Sequence, residues 1–387
     1  MRRVVITGIG AVTPAGNTFA ESWESLKAGK SGIGPLEGIE VRGPWRTAGL
    51  LKGFDAGAYL GPKEMKRLDP FVHYSVASAL MAVEDAGLKE IKKGGVVIGS
   101  GRGGITTIER SLNSRRASAY LMPATTISMA SSYAAKKAGV KGHCLGISNS
   151  CASGANAVGE AARMIKHGVA DVMLAGGAEA PVCRLSIEGY GAAGALSKSG
   201  VMRPFDRKRD GFVLAEGACV LVLEDYAFAL RRGARIYAEL SGYGNTADAL
   251  HETRPDSRTQ AEAIMAAVEE AGLGKEEVDY INAHATGTQA GDRSEAEAIK
   301  LFAEKRIPVG GQKSVTGHML AASGAFEAAS TVMSIHTGII PAIANLTEPD
   351  FDLDFVTSLR ACEISAAVSV SFGFGGVNAA LAFKKAS

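Results

Sequence analysis

A cysteine stands where an apolar run, Leu145 to Ile147, gives way to small residues: Ile147-Ser148-Asn149-Ser150-Cys151-Ala152-Ser153-Gly154. A thiol at a helix start can be a nucleophile, because exposed N–H groups and the macrodipole favour the thiolate. It can equally be a small buried hydrophobe, the common fate of a free cysteine. Two of the seven histidines occupy comparable places. His284 follows the strand-like Val278-Asp279-Tyr280-Ile281-Asn282-Ala283 and opens the turn Ala285-Thr286-Gly287-Thr288. His318 closes Lys313-Ser314-Val315-Thr316-Gly317-His318, just after the strand-like Ile307 to Val309. Sites in doubly wound sheets form at the carboxyl ends of strands, so both are candidates for chemistry beside the ordinary reading of a satisfied core or surface histidine. A Cys/His/His zinc site would use the same residue types, but it lacks a paired spacing such as CxxC or HxxxH.

The elements that must position these groups read as α/β, with short apolar strands alternating with helices that end in glycine. An internal repeat organises them. Val83-Glu84-Asp85-Ala86-Gly87-Leu88 is echoed by Val268-Glu269-Glu270-Ala271-Gly272-Leu273, and Ser153-Gly154-Ala155 by Ser323-Gly324-Ala325. Ile6-Thr7-Gly8-Ile9-Gly10, read as a strand and turn, has a weaker partner in Leu240-Ser241-Gly242-Tyr243-Gly244. Three echoes in one order predict a duplicated fold with halves 1–235 and 236–387. Cys151 then precedes the buried helix of the first half and His318 that of the second, so pseudo-symmetry brings two helix N-termini together.

With 387 residues, 46% hydrophobic and 21% charged, the chain has a globular composition and ample core. A net charge of +2 argues against bulk nucleic-acid binding. Five cysteines without CxxC spacing fit a reducing cytosol, and no apolar run approaches the ~20 residues of a membrane span. Gly99-Ser100-Gly101-Arg102-Gly103-Gly104 formally matches a dinucleotide-binding GxGxxG, yet no Asp or Glu follows from Arg110 through Gly159 to hold a ribose. That acid-free interval carries Arg110, Arg115, Arg116, Lys136, Lys137 and Lys141, which suggests a docking surface for an acidic partner.

Asn149-Ser150-Cys151-Ala152-Ser153-Gly154, Asn282-Ala283-His284-Ala285-Thr286-Gly287-Thr288, Lys313-Ser314-Val315-Thr316-Gly317-His318 and Ser371-Phe372-Gly373-Phe374-Gly375-Gly376-Val377-Asn378 together resemble the β-ketoacyl-acyl-carrier-protein synthases of the KAS I/II type. The likeness covers essentially the whole chain. It implies the thiolase fold, a duplicated five-layer α/β/α/β/α arrangement, usually homodimeric, and condensation of a malonyl thioester with an acyl group in fatty-acid elongation. By the same resemblance Cys151 is the nucleophile, and its oxyanion hole is made by the backbone N–H groups of Cys151 and Phe374. His284 and His318 donate to an enolate, and Lys313 is the active-site lysine with Glu327 as charge partner. Thr286 and Thr288 meet the pantetheine arm, and Phe374 gates the pocket with Phe372 behind it. The implied partner is acyl carrier protein, bringing substrates on its phosphopantetheine, with no other cofactor and no metal. A polyketide or polyene ketosynthase shares the motif set, and a chain-length-factor-like subunit would lack Cys151.

Departures from the family pattern are Ala285 for glycine, Gln289 for proline, Val377 for threonine, and Gly194 where an arginine usually faces the carrier protein. Docking then leans on Lys63, Lys66, Arg67, Arg115 and Arg116. Arg102 stands where an apolar residue usually lines the acyl pocket. Because a guanidinium cannot shed its charge beside an alkyl chain, Arg102 is expected to turn to a carboxylate or to shape a pocket for short or polar acyl groups.

Overall fold

The computed structural model describes residues 1–114, 116–251 and 254–386. Eleven strands form one hydrogen-bonded array: β1 (Val4–Val12), β2 (Gly94–Gly99), β3 (His143–Ile147), β4 (Val172–Glu179), β5 (Gly217–Asp225), β6 (Ala238–Ala247), β7 (Tyr280–Asn282), β8 (Pro308–Gly310), β9 (Asp354–Phe355), β10 (Ala366–Gly373) and β11 (Val377–Lys384). Their order is β9-β8-β7-β10-β11-β6-β1-β5-β4-β2-β3. Outward from the centre, β1-β5-β4-β2-β3 and β6-β11-β10-β7-β8 follow the same sequence of antiparallel, antiparallel, parallel, parallel neighbours. Two arms of identical topology thus meet at a short antiparallel contact, Val5 opposite Glu239 and Ile6 opposite Ala238. The division expected at 235/236 falls just before β6, the first strand of the second arm.

Six helices layer the arms: α1 (Pro70–Asp85), α2 (Met129–Ala138), α3 (Ser153–Lys166), α4 (Ser257–Glu270), α5 (Gln289–Phe302) and α6 (Ala321–Thr337). Helices α1 and α2 cover the outer face of the first arm and α4, with α5 packed on it, covers the second; α3 and α6 lie between the arms and touch both. That gives five layers of thiolase type. The central pair is rich in Ala, Gly and Ser, and α6 is buried almost all round, as a helix with no solvent face must be.

Gly8 and Gly10 correct the predicted turn, since β1 runs unbroken to Val12. They are glycine because α1 lies against the strand. A Cβ on Gly8 would sit 2.2 Å from the Ala82 carbonyl oxygen, and one on Gly10 would sit 2.1 Å from that of Ser78. Gly242 and Gly244 in β6 meet α4 in the same way, 1.9 Å from the Ala267 oxygen and 2.0 Å from that of Ala263. The weak echo in the sequence therefore marks helix–strand contact rather than chain reversal.

Where α3 and α6 begin, the backbones nearly touch: a Cβ on Gly154 would lie 2.1 Å from the Ala321 oxygen. Gly154→Ala should cost about 3 kcal/mol, because neither buried backbone can retreat. Gly189, in the exposed helix Arg184–Ala192 with open space around it, is the control. Its replacement by alanine should gain about 0.5–1 kcal/mol. Denaturant titration of both variants checks the pair; equal effects would show that helix propensity, not contact, governs Gly154.

Candidate active site

Each central helix starts from a strained elbow. Ser150, before Cys151, has φ 50°, and its counterpart Leu320 has φ 46°, positive values that cost about 1–3 kcal/mol in residues with a side chain. Ser153 and Ser323 cap the two elbows alike: the Ser153 hydroxyl accepts Asn149 N–H at 2.8 Å, and that of Ser323 accepts Met319 N–H at 2.9 Å. They differ in where the hydroxyl proton goes. Ser153 donates to the Ser150 carbonyl at 2.6 Å, whereas Ser323 lies 3.3 Å from His318 Nδ1.

The elbows bring Cys151 Sγ within 3.2 Å of His318 Nε2. The His284 ring stands edge-on to that of His318, centroids 5.4 Å apart. Behind His284 lies Lys313, fully buried, its Nζ 3.2 Å from His284 Nδ1 and also bonded to the His284 carbonyl and to Glu327 Oε1. Asn282 fixes this arrangement by donating from Nδ2 to the Glu327 carbonyl at 2.9 Å, tying β7 to α6.

The proton positions follow from the partners. An ammonium has no lone pair, so His284 Nδ1 accepts from Lys313 and its proton resides on Nε2. Ser323, already accepting from Met319, donates to His318 Nδ1 and likewise leaves Nε2–H. Burial, then the Lys313 charge and for His284 the neighbouring imidazole, hold both rings well below the usual histidine range, so both are neutral donors. Burial pushes the Cys151 thiol up to about 11, with Lys313 and the Phe374 N–H opposing it. Burial at Cys151 thus works against the preference of a helix terminus for the thiolate.

Burial likewise pushes Glu327 up to about 7 against the pull of Lys313. Sγ and the two ring nitrogens lie within 4.8 Å of one another, near enough for one metal ion by donor type. The Lys313 ammonium places fixed positive charge beside that position and favours hydrogen-bond donation instead.

Phe374 N–H points at the Cys151 sulfur. Its approach depends on Gly373, where a Cβ would be 2.8 Å from the Asn149 oxygen. Phe374 is 40% exposed and packs near Tyr190, and Phe372 stands edge-on to His284 at 6.0 Å. A cavity of about 340 Å³ ends on Cys151, His284 and His318, with Tyr190, Phe212 and Phe374 on one wall and Thr286 and Thr288 on another. The two threonine hydroxyls are 2.9 Å apart, and Thr288 caps α5.

Several contributors escaped the sequence reading. Glu295 accepts the N–H groups of His284 and, at 2.8 Å, of Ala285, whose φ of 50° explains why glycine is usual there. Ser371 donates to the Cys151 carbonyl at 3.1 Å. Glu179, buried at the end of β4, accepts Gly101 N–H, so the glycine loop cradles the protein's own carboxylate rather than a phosphate. Ser371 lies within the quoted motif that opens on it, and Ser323, beside His318, within the repeated Ser-Gly-Ala, so these two carried a signal.

Arg102, expected to bind substrate, does not line the cavity: it is exposed and lies 5.7 Å from the Tyr190 ring, near the Glu179 charge. Lys63, Lys66 and Arg67 are exposed on the short helix Pro62–Arg67, and Arg116 is exposed; Arg115 falls outside the described residues. Glu64 of that helix binds Lys137 at 2.6 Å and Lys136 at 3.2 Å, so two cations of the acid-free interval are neutralised from outside it.

The beta-ketoacyl synthase N-terminal domain model matches residues 1–229 and the C-terminal domain model residues 237–347. The chain is 41% identical over 410 aligned positions to a 3-oxoacyl-[acyl-carrier-protein] synthase 2 of Vibrio cholerae, covering 99% of both chains. It is 42% identical over 408 positions to one of Synechocystis, covering 99% of this chain and 98% of the relative. Among solved structures, the ishigamide ketosynthase/chain length factor superposes with TM-score 0.93 at 33% identity over all of both chains. A ketosynthase in complex with a type II PKS acyl-carrier protein does so at 0.92 and 32%, again over all of both chains. With Cys151, His284, His318 and Lys313 converging in one buried cluster, the chain belongs to the beta-ketoacyl synthase family.

Proposed function

We propose that this protein is a β-ketoacyl-acyl-carrier-protein synthase of the second type, an acyltransferase that lengthens acyl chains in fatty-acid synthesis. The observation that carries the reading is the 3.2 Å approach of Cys151 Sγ to His318 Nε2, beside a His284 whose Nδ1 faces an ammonium. In the first half-reaction Sγ bonds to the thioester carbonyl carbon, and the carrier's sulfur leaves with the thiol proton. The intermediate's oxyanion is met by the N–H groups of Phe374 and Cys151. In the second, a malonyl thioester loses CO2, and its enolate oxygen receives the Nε2–H of both histidines. The enolate carbon then attacks the acyl carbon and Sγ departs. No strong base is needed.

Acyl carrier protein is the proposed partner, with Lys63, Lys66, Arg67 and Arg116 as docking charges and Thr286 and Thr288 along the pantetheine arm. Full-length relatives at 41% and 42% identity favour fatty-acid over polyketide synthesis, and Cys151 speaks against a chain-length-factor subunit. A homodimer is supported by β3, an edge strand whose residues are largely exposed, including Leu145 at 44%. Five free thiols fit a cytoplasmic setting, and among the described residues no helix is long and apolar enough to cross a membrane.

Cys151→Ala should abolish acyl-enzyme formation while the fold persists. His284→Ala and His318→Ala should each slow malonyl decarboxylation by about 10²–10³, and acyl transfer far less, because their N–H groups act mainly on the enolate. Rates measured separately for the two half-reactions check this; equal losses, or loss of activity on dialysis against a chelator, would favour a structural or metal role.

Since burial pushes the thiol up to about 11, the thiolate fraction rises with pH throughout the neutral range. Inactivation by iodoacetamide should therefore accelerate about tenfold per unit from pH 7 to 9; a plateau there would mean that the resting cysteine is already ionised.

Tyr190 lines the cavity and lies 5.7 Å from Arg102, so Arg102 can act on the acyl group only through Tyr190, toward short or polar chains. Arg102→Ile should improve condensation on long-chain acyl carriers relative to short ones; efficient wild-type turnover of a C16 chain, unaltered by the substitution, would remove Arg102 from specificity.

A further inference from the structure

The cavity on Cys151 opens outward rather than closing. Arg254, Pro255, Gln289 and Ala290 line it and also line a surface groove of about 600 Å³, so the two are continuous. The groove runs between the first turns of α4 and α5, and three exposed arginines face it: Arg254, Arg258 and Arg293. Among the described residues none of the three is in an ion pair. Two carboxylates share the groove but leave the cations unmatched. Asp256 accepts the Arg258 backbone N–H at 2.9 Å as the cap of α4, and Glu297, one turn further along α5 than Arg293, lines the groove without reaching the cavity.

A thioester that reaches Cys151 past Thr286 and Thr288 has its pantetheine arm along this cavity, and the outer end of that arm is a phosphate ester. Among the described residues, the only wall residue with a permanent positive charge common to cavity and groove is Arg254. We propose that Arg254, Arg258 and Arg293 form a phosphate site at the tunnel mouth, which grips the phosphate ester at the end of the pantetheine arm. The proposal rests on the reading of the cavity as a thioester tunnel. Guanidinium forks match phosphate oxygens two at a time, and three of them tolerate either a carrier-bound diester or a free phosphopantetheine. Gly194, lining the same cavity, contributes no charge, so on this wall the grip falls to the arginines.

The test compares Cys151 acylation by acyl-4′-phosphopantetheine and by acyl-pantetheine, which lacks only the phosphate. Wild type should prefer the phosphorylated thioester by about tenfold in kcat/KM at low salt, and the preference should shrink as salt rises. Arg254→Gln, Arg258→Gln and Arg293→Gln combined should bring the ratio close to one. The salt series needs no variant, so it stands even if the triple substitution fails to fold. Acyl-carrier protein run alongside distinguishes the diester, whose rate should fall with the same substitutions. Equal labelling of wild type by the two small thioesters, or a preference that survives the triple substitution, overturns the phosphate site alone. If neither thioester labels Cys151, the tunnel reading fails and this one with it.

Discussion

The near-contact of two helix starts governs everything else in this molecule. Gly154 and Ala321 face each other at a separation that admits no Cβ, and Gly324 faces Ala155 in return. Two buried helices from different halves can begin side by side because Gly154 leaves room for the Ala321 carbonyl, and Gly324 eases the tighter contact with Ala155. That closeness carries the elbows with it, so Cys151 at one and His318 at the other come within hydrogen-bonding distance without either lying on a long loop. A site built on rigid elements holds its geometry far better than one built on loops, and here the rigidity is paid for by two residues with positive φ.

A buried cation is the second constraint. Lys313 has no solvent, and its three acceptors, Glu327 Oε1, the His284 carbonyl and His284 Nδ1, match the three donors of an ammonium. A fully used ammonium also dictates the tautomer of its imidazole partner. Ser323 performs the same service for His318 with a neutral group, so one histidine is set by charge and the other by a hydroxyl. Glu327 Oε2 remains without a partner, which leaves the carboxylate poorly solvated and accounts for the upward push on its ionisation.

Much of the fold was legible because duplication writes itself twice. The Ser-Gly-Ala echo and the two helix ends at Gly87 and Gly272 located equivalent elements, and the convergence of Cys151 and His318 follows from pairing them. The glycines of β1 misled because a glycine in a strand and a glycine in a turn look alike in one dimension; only the helix across the sheet separates them. The acid-free interval misled for a similar reason, since Glu64 reaches Lys136 and Lys137 from more than seventy residues away. Glu295 and Glu179 were invisible because their partners are backbone N–H groups, which leave no trace in side-chain identity. The ionisation of Cys151 depends on burial at the meeting of both halves, and no local stretch records that.

The division of roles between the halves follows from their symmetry being imperfect. Ser153 and Ser323 occupy equivalent caps, but the first spends its proton on its own elbow and the second on an imidazole. Position 151 holds sulfur, whereas its counterpart Ala321 holds a methyl group and turns its carbonyl toward Gly154. One half therefore supplies the sulfur and the other the two imidazoles beside it, although both were built from the same sequence of strands. Burial also pushes the Cys151 thiol up. With two ring N–H donors and a third from Phe374 arranged around a buried cluster, negative charge that develops there on oxygen or sulfur meets donors already in place. The same burial that raises the cost of the thiolate strengthens each of those donors, so the site favours charge that appears during reaction over charge held at rest.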